Sequence, residues 1–252
     1  MKIATWNVNG IRKRSTEVIS LIDREEPDVL CLQETKANRA QVPEPLVGVP
    51  GYHAFWHGGT GGYSGVALLL RTRTFGEDAP AFVHPVFDAE TRIVVAEVGS
   101  LVFGSVYVPN GGKDFAAKMV FLREMVAWAE ALRADGKHLV LCGDFNVARL
   151  PIDVHPVLRK EMIGQTADER LLIERFLGHG LVDVARRVAP DDDRLFTWWA
   201  PWRNLRQRNI GWRLDLVAAS EGLVDETVHC YAYRDVGTSD HGPVIAHLRD
   251  AP

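Results

Sequence analysis

The chain has 252 residues, 46% hydrophobic and 25% charged. That is an ordinary globular composition, long enough to bury a core without covalent staples. Three cysteines, Cys31, Cys142 and Cys230, are too few and too odd in number for a disulfide framework; they read as buried free thiols in a reducing compartment. A net charge of -4 leaves a polyanionic partner open, because such binding depends on how charge is spread over one face.

From the N-terminus, apolar runs rich in Val, Ile, Leu and Tyr predict strands at Lys2–Trp6, Asp28–Leu32, Gly65–Leu70, Ile93–Val98, Leu101–Val108 and Leu139–Cys142. Further strands are expected at Leu214–Ala218, Thr227–Tyr233 and Val244–His247. Helices lie between them. Glu17–Glu26 gathers Val18, Ile19, Leu21 and Ile22 on one side and stops at Pro27. Asp114 caps a long helix carrying Phe115, Met119, Leu122, Val126 and Leu132, closed near Gly136. Thr166 and Glu169 have capping-box spacing ahead of Leu171, Ile173 and Phe176, with Gly178 at the far end. The Gly-rich stretch Gly58–Gly65 lacks the P-loop pattern and reads as a flexible surface loop.

Strands and helices interleave without a linker or a break in composition, so one α/β domain over residues 1–252 is expected, with mixed sheets. No run approaches the roughly 20 apolar residues that cross a bilayer. The first residues are strand-like, unlike a signal peptide. The expectation is a soluble, cytoplasmic monomer, nucleoid-associated in a bacterium, with no membrane partner.

Four segments share one design, an apolar strand ending in polar residues: Asn7 and Asn9, Gln33 and Glu34, Asp144 and Asn146, Asp240 and His241. In α/β sheets such strand ends converge on one crevice. Asp215 lies inside an apolar run, and a buried carboxylate needs a partner; a nearby histidine is the obvious one. Several carboxylates, two asparagines and no thiolate motif suit magnesium or manganese better than zinc. Magnesium keeps few protein ligands and shares itself with phosphate, which points to phosphoryl chemistry. Basic clusters stand at Arg12, Lys13, Arg14 and at Arg203, Arg206, Arg208, Arg213.

Seven motifs then appear in order: TWNVNG at 5–10, LQETK at 32–36, GYSGVALL at 62–69, YVPNGG at 107–112, GDFNVA at 143–148, GWRLD at 211–215 and SDHGPV at 239–244. Together they resemble the exonuclease III and abasic-site endonuclease family of the exonuclease/endonuclease/phosphatase superfamily. The resemblance implies a four-layered α/β sandwich, two packed mixed β-sheets flanked by helices. It implies that Glu34 is the principal magnesium ligand, with Asp240 and Asn9 in the metal site. Asn9 stands where several members carry Asp. Asn7, Asp144 and Asn146 match the group that orients or activates water. Asp215 and His241 match the Asp-His pair, and Tyr107 and Asn110 match phosphate contacts. Trp198, Trp212 and Leu214 match the pocket for a base-free deoxyribose, Trp198 replacing a Phe found in some members. Arg208 and Lys36 are expected to contact the same substrate.

The implied activity is magnesium-dependent (or manganese-dependent) DNA repair: incision of duplex DNA 5′ to abasic sites, or 3′-to-5′ removal of nucleotides, leaving 3′-hydroxyl and 5′-phosphate. Asp144 is the preferred base and the Asp215–His241 pair the alternative. Relatives acting on RNA, phospholipids or inositol phosphates share the core, but the aromatic and basic segment 197–215 favours DNA. Trp199 and Trp202 in that segment are expected to be packing aromatics. A non-catalytic nucleic-acid-binding protein is the remaining class, opposed by the intact acids and histidine.

Overall fold

Strand runs with no polar alternation must be covered on both faces, and in the computed structural model they are. It describes residues 1–58, 62–225 and 228–249. One sheet holds β1 (Lys2–Asn7), β2 (Val29–Gln33), β3 (Tyr52–His57), β4 (Val66–Arg71), β11 (His229–Ala232) and β12 (Val244–His247), in the order β11-β12-β1-β2-β4-β3. The other runs β5-β6-β7-β8-β10-β9, from β5 (Ala81–Val83), β6 (Ile93–Val98), β7 (Leu101–Tyr107), β8 (His138–Asp144), β9 (Leu181–Asp183) and β10 (Asp215–Ser220). Each sheet has one parallel pair, β1 with β2 and β7 with β8, and its other pairs are antiparallel.

Each parallel pair requires a crossover helix. Helix α1 (Ile11–Glu25) joins β1 to β2, and α4 (Phe115–Ala134) joins β7 to β8. Shorter helices are α2 (Glu44–Val47), α3 (Thr72–Phe75), α5 (Ala167–Leu177) and α6 (Val184–Val188). Alternation along the strands sorts the core into layers. Ile3, Cys31 and Leu68 of one sheet meet Phe103, Val140 and Val217 of the other. Ala4, Leu30 and Leu69 face outward onto Val18, Leu21 and Ile22 of α1. Val102, Leu141 and Leu216 face Met119 and Leu122 of α4 and Ile173 and Phe176 of α5. Helix, sheet, sheet, helix is the four-layered sandwich.

The caps at Asp114 and Thr166 form as expected, the latter as a capping box with Glu169. Helix α1 starts earlier than its periodicity suggested, at Ile11, because the chain turns straight off the Gly10 N–H bonded to Glu34 O at 2.7 Å. Strands β3, β5 and β9 were not foreseen. All three are edge strands; half-exposed residues blur the apolar pattern of β3 and β5, and β9 is only three residues long. The Thr227 end of one expected strand lies outside the described residues, as do residues 59–61 of the Gly-rich stretch. The rest of that stretch is not a free surface loop. Gly65 is buried, and a Cβ on Gly58 would stand 1.9 Å from Ala37 O. Cys31 and Cys142 are buried free thiols, whereas Cys230 is half-buried. Phe115, on the apolar stripe of α4, is 37% exposed and so only partly covered. Among the described residues no helix is long and apolar enough to cross a membrane.

Candidate active site

Register brings the polar strand ends together. In the second sheet Tyr107 of β7, Asp144 of β8 and Asp215 of β10 lie in one rung, Asp144 being the cross-strand partner of both others. In the first sheet Asn7 ends β1 opposite Gln33 at the end of β2, and Glu34 follows. The two rungs meet across the sandwich. The Asn7 Nδ2 amide donates to Glu34 Oε1 at 3.0 Å and to Asp144 Oδ2 at 2.9 Å, so one side chain ties the sheets together at the crevice floor.

Turning a strand sharply at its end forces unusual backbone. Asn9, Glu34, Lys36 and Asn146 all have φ between 44° and 50°, a left-handed conformation that Asn tolerates and Glu and Lys rarely adopt. The turns are held by Ile11 N–H to Thr35 O and by Lys36 N–H to Ser64 O, both 2.9 Å. Gly143 has to be glycine, since a Cβ there would fall 1.9 Å from Val106 O.

Asp240 and His241 arrive on a third segment. Trp199 N–H donates to Asp240 O at 3.0 Å and Gly242 N–H to Thr197 O at 2.8 Å, while Trp198 and Trp212 exchange backbone bonds at 2.9 Å. Segments 197–199, 211–213 and 240–242 therefore lie as one small ribbon beside the crevice. His241 Nδ1 is 2.8 Å from Asp215 Oδ2, and its Nε2 is 3.8 Å from Asp144 Oδ2. Asp240 accepts from Asn9 Nδ2 at 2.8 Å and from Trp198 Nε1 at 3.0 Å. Asn146 donates from its backbone N–H to Asp144 Oδ1 at 2.9 Å and from its amide to Val108 O at 2.9 Å.

Burial and like charge set the protonation states. Burial, with Asp215 and Glu34 nearby, outweighs His241 and pushes Asp144 up to about 7. Burial disfavours a charged His241, but Asp215 and Asp144 win and push it up to about 10. Burial would raise Glu34 too, yet hydrogen bonds from Lys36 and Asn7 hold it below the usual carboxylate range. Asp240 is likewise lowered against its burial, by His241, Asn9 and Trp198. Burial and the neighbouring Glu34 and Asp144 keep the Tyr107 phenol protonated far above its ordinary range.

A cation fits the opening of this crevice. The Lys36 ammonium stands 2.7 Å from Glu34 Oε2 and 2.5 Å from Asn9 Oδ1, so these oxygens already converge on a positive charge. With Asp240 they make an oxygen-only donor set, the kind that suits magnesium or manganese. Lys36, expected at the substrate, is paired here with Glu34.

The other expected substrate residues separate. Trp198 and Trp212 are half-buried and meet edge to face at 5.8 Å, with Leu214, Ala148 and Val154 behind them. Asn110 is exposed at the mouth and accepts Gly112 N–H at 2.9 Å. Arg208 is exposed, its charge falling near His155. The basic cluster around it does not form one face. Arg213 is 1% exposed and bound to Asp153 and Asp183, and so belongs to the interior. Arg206 turns inward and braces the 234–239 loop through the carbonyls of Arg234 (2.5 Å), Val236 (2.8 Å) and Ser239. Trp199 is buried as expected, but Trp202 is 60% exposed.

Several supporting residues escaped the sequence reading. Thr197 Oγ1 accepts the N–H groups of Leu214 and Asp215 at 2.9 and 3.0 Å and fixes the start of β10. Ser239 Oγ donates to Asn7 O at 2.7 Å, and Trp6 Nε1 donates to His241 O at 3.1 Å. Lys118 is wholly buried, paired with Glu169 Oε1 at 2.6 Å, and donates to Asn146 O at 2.8 Å. Its signal was present: a lysine beside Met119 on the apolar stripe of α4 demands a buried partner.

The chain is similar to known proteins along its length. The model of the Endonuclease/Exonuclease/phosphatase family matches residues 4–241. The recombination repair protein 1 of Drosophila melanogaster is 37% identical over 97% of the chain, which spans 36% of that longer protein. The exodeoxyribonuclease of Bacillus subtilis is 34% identical, over 97% of this chain and 98% of its own. Among solved structures, an AP endonuclease from Archaeoglobus fulgidus is 31% identical, with a TM-score of 0.82 over 98% of this chain and 99% of that one. The matched span takes in every crevice residue from Asn7 to His241, and the chain belongs to the Endonuclease/Exonuclease/phosphatase family.

Proposed function

We propose that the protein is a magnesium-dependent phosphodiesterase of DNA repair. On this reading it incises duplex DNA 5′ to abasic sites, removes nucleotides 3′ to 5′, or does both, leaving a 3′-hydroxyl and a 5′-phosphate. One observation carries the proposal. The Asn7 amide joins Glu34 to Asp144 at the crevice floor, with the Asp215–His241 pair alongside. The names of its relatives, an exodeoxyribonuclease and an AP endonuclease, support DNA as the substrate, and the family is one of metal-dependent nucleases.

Glu34 and Asp240, with Asn9, would hold the ion. When bound, magnesium supplies positive charge at the scissile phosphate and at the departing 3′ oxygen. Asp144 holds the attacking water together with Asn146. A carboxylate pushed up to about 7 is poised as a general base at neutral pH. His241, pushed up to about 10, stays protonated there. It is therefore a poor base and a good donor to a phosphate oxygen, with Asp215 holding its ring. These protonation states favour Asp144 over the histidine as the base. Trp198 lies 6.5 Å from His241 and packs with Trp212 and Leu214, so these three would wall in an extruded, base-free sugar at the scissile phosphate.

The test is a side-by-side assay of abasic, blunt and 3′-blocked duplexes with magnesium, with and without a chelator. Chelator-sensitive cleavage of duplex DNA is expected. Cleavage of RNA, phospholipid or inositol phosphate with none of DNA would replace the proposal with another member of the superfamily. Salt-dependent DNA binding with no nicking would replace it with a binding protein.

A further inference from the structure

At the open edge of the sandwich the two outermost strands finish on the same pattern. Strand β3 reads Ala54-Phe55-Trp56-His57, and β5 with its next residue reads Ala81-Phe82-Val83-His84. Alternation puts each phenylalanine on the same face as its histidine. These faces meet: Phe55 stacks on Phe82 at 5.3 Å with 10° between planes, and His57 on His84 at 4.7 Å and 15°. Asp88 closes the group from the turn before β6. Its Oδ1 accepts the N–H groups of Arg92 and Ile93 at 2.7 and 3.2 Å, which fixes the carboxylate. Its other oxygen is left to the rings, 2.5 Å from His57 Nε2 and 3.9 Å from His84 Nδ1.

We propose that His57, His84 and Asp88 form a second cation site, for a divalent transition ion of the zinc class. The three ligand atoms lie within 4.8 Å of one another. Around an ion with bonds of about 2.0–2.2 Å, tetrahedral ligand atoms stand roughly 3.3 Å apart. Of the three gaps, the 2.5 Å one from His57 to Asp88 opens by under an ångström and the 3.9 Å one from His84 to Asp88 closes by about half an ångström. The gap between the two imidazoles, up to 4.8 Å, closes by as much as about 1.5 Å. The His84 side chain, 55% exposed, has room for that movement. Two imidazole nitrogens with one carboxylate suit zinc, nickel or cobalt, whereas the oxygen-only set at Glu34 suits magnesium. The site staples the edge of one sheet to the edge of the other. It also reaches toward the crevice, because Asp88 holds the backbone of Arg92, whose guanidinium lies 4.9 Å over the Tyr107 ring.

The test uses the full, untagged chain saturated with magnesium, titrated calorimetrically with zinc and spectroscopically with cobalt. Wild type and Glu34→Gln are expected to bind one equivalent of zinc at micromolar concentration or below, with visible cobalt absorption and a higher melting temperature. His84→Ala, which alters an exposed ring and leaves the fold intact, should weaken zinc binding by about tenfold or more and lose the cobalt bands. Unchanged zinc affinity in both His57→Ala and His84→Ala, or no binding to wild type below millimolar zinc, overturns the proposal and leaves His57–Asp88 as a hydrogen bond alone.

Discussion

Arg213 and Asp215 stand two residues apart, yet their side chains serve two buried charge clusters of opposite character. Arg213 donates to Asp153 at 2.7 and 3.0 Å and to Asp183 at 3.0 and 2.7 Å. Arg186 adds bonds to Asp153, and Arg149 one to Asp183. In that cluster three guanidiniums face three carboxylates, since Arg149 also pairs with Glu174 at 2.6 Å, and burial of Arg213 is overcome so far that it never loses its proton. Asp215 belongs to the crevice, where Glu34, Asp144, Asp215 and Asp240 surround one histidine. Its Oδ1 is buried with no hydrogen-bond partner among the described residues. Unmatched buried charge is costly and matched buried charge locks geometry. Charge that holds the fold is satisfied here, and charge arranged for chemistry is left short.

The sharpest way to break this contrast is to neutralise Asp144. Asp144→Asn keeps the shape and removes the proposed base, so turnover on abasic duplex should fall by about 10²–10⁴-fold. DNA affinity, measured separately, should hardly change. Turnover near wild type would remove Asp144 from the base role. On the other side, Arg213→Met leaves Asp153 and Asp183 buried without their shared partner. The expected cost is about 3–5 kcal/mol, read as a lower denaturant midpoint at unchanged slope. Activity per folded molecule should persist. An unchanged midpoint would mean that the satisfied cluster holds nothing.

The clusters also titrate with opposite sign. Asp153, despite its burial, is drawn below the usual range by Arg213 and Arg186. Its contribution is present above about pH 4, the unfolded value, and is lost as pH falls through the lower native value. Asp144 behaves the other way. Unfolded, it ionises near about pH 4, whereas the folded group keeps its proton up to about 7. Across that interval the native state binds more protons, so stability falls as pH rises. Asp144→Asn should therefore melt above the wild type at pH 8 and converge with it near pH 4. A melting gap of the same size at both pH values would contradict the opposite signs.

Why one cluster was foreseen and the other was not follows from the kind of signal each leaves. Asp144, Asp215 and His241 interrupt apolar runs at strand ends, and their motifs recur in a recognisable order, so both the crevice and the sandwich could be read in advance. Arg213 interrupts the same kind of run, but its partners Asp153 and Asp183 lie 60 and 30 residues away in short, unpatterned segments. Nothing local distinguishes an arginine aimed at the interior from one aimed at DNA. Lys118 left a local signal in its helix stripe, while the partner carbonyl of Asn146 depends on the fold. Edge strands β3 and β5 were missed for the same reason as the His57–His84 pair they carry: each half is unremarkable until the sheets pack.

The smallest expected effect concerns Asn9, where a charge is withheld from the crevice. Its Nδ2 donates to Asp240 Oδ1 at 2.8 Å and its Oδ1 meets Lys36 Nζ at 2.5 Å, so the amide satisfies an acid and a base at once. Asn9→Asp removes the donor and sets a second carboxylate against Asp240. Without a divalent ion the two repel, and the melting temperature should drop by a few degrees, roughly 1 kcal/mol. With magnesium the added charge attracts the ion, so the concentration giving half the maximal shift in melting temperature should fall several-fold, where about 1.4 kcal/mol is tenfold. Lys36 opposes this by pairing with the new acid, which keeps the gain modest. If magnesium affinity is unchanged while the metal-free protein is destabilised, Asn9 acts through Asp240 alone and stands outside the cation site.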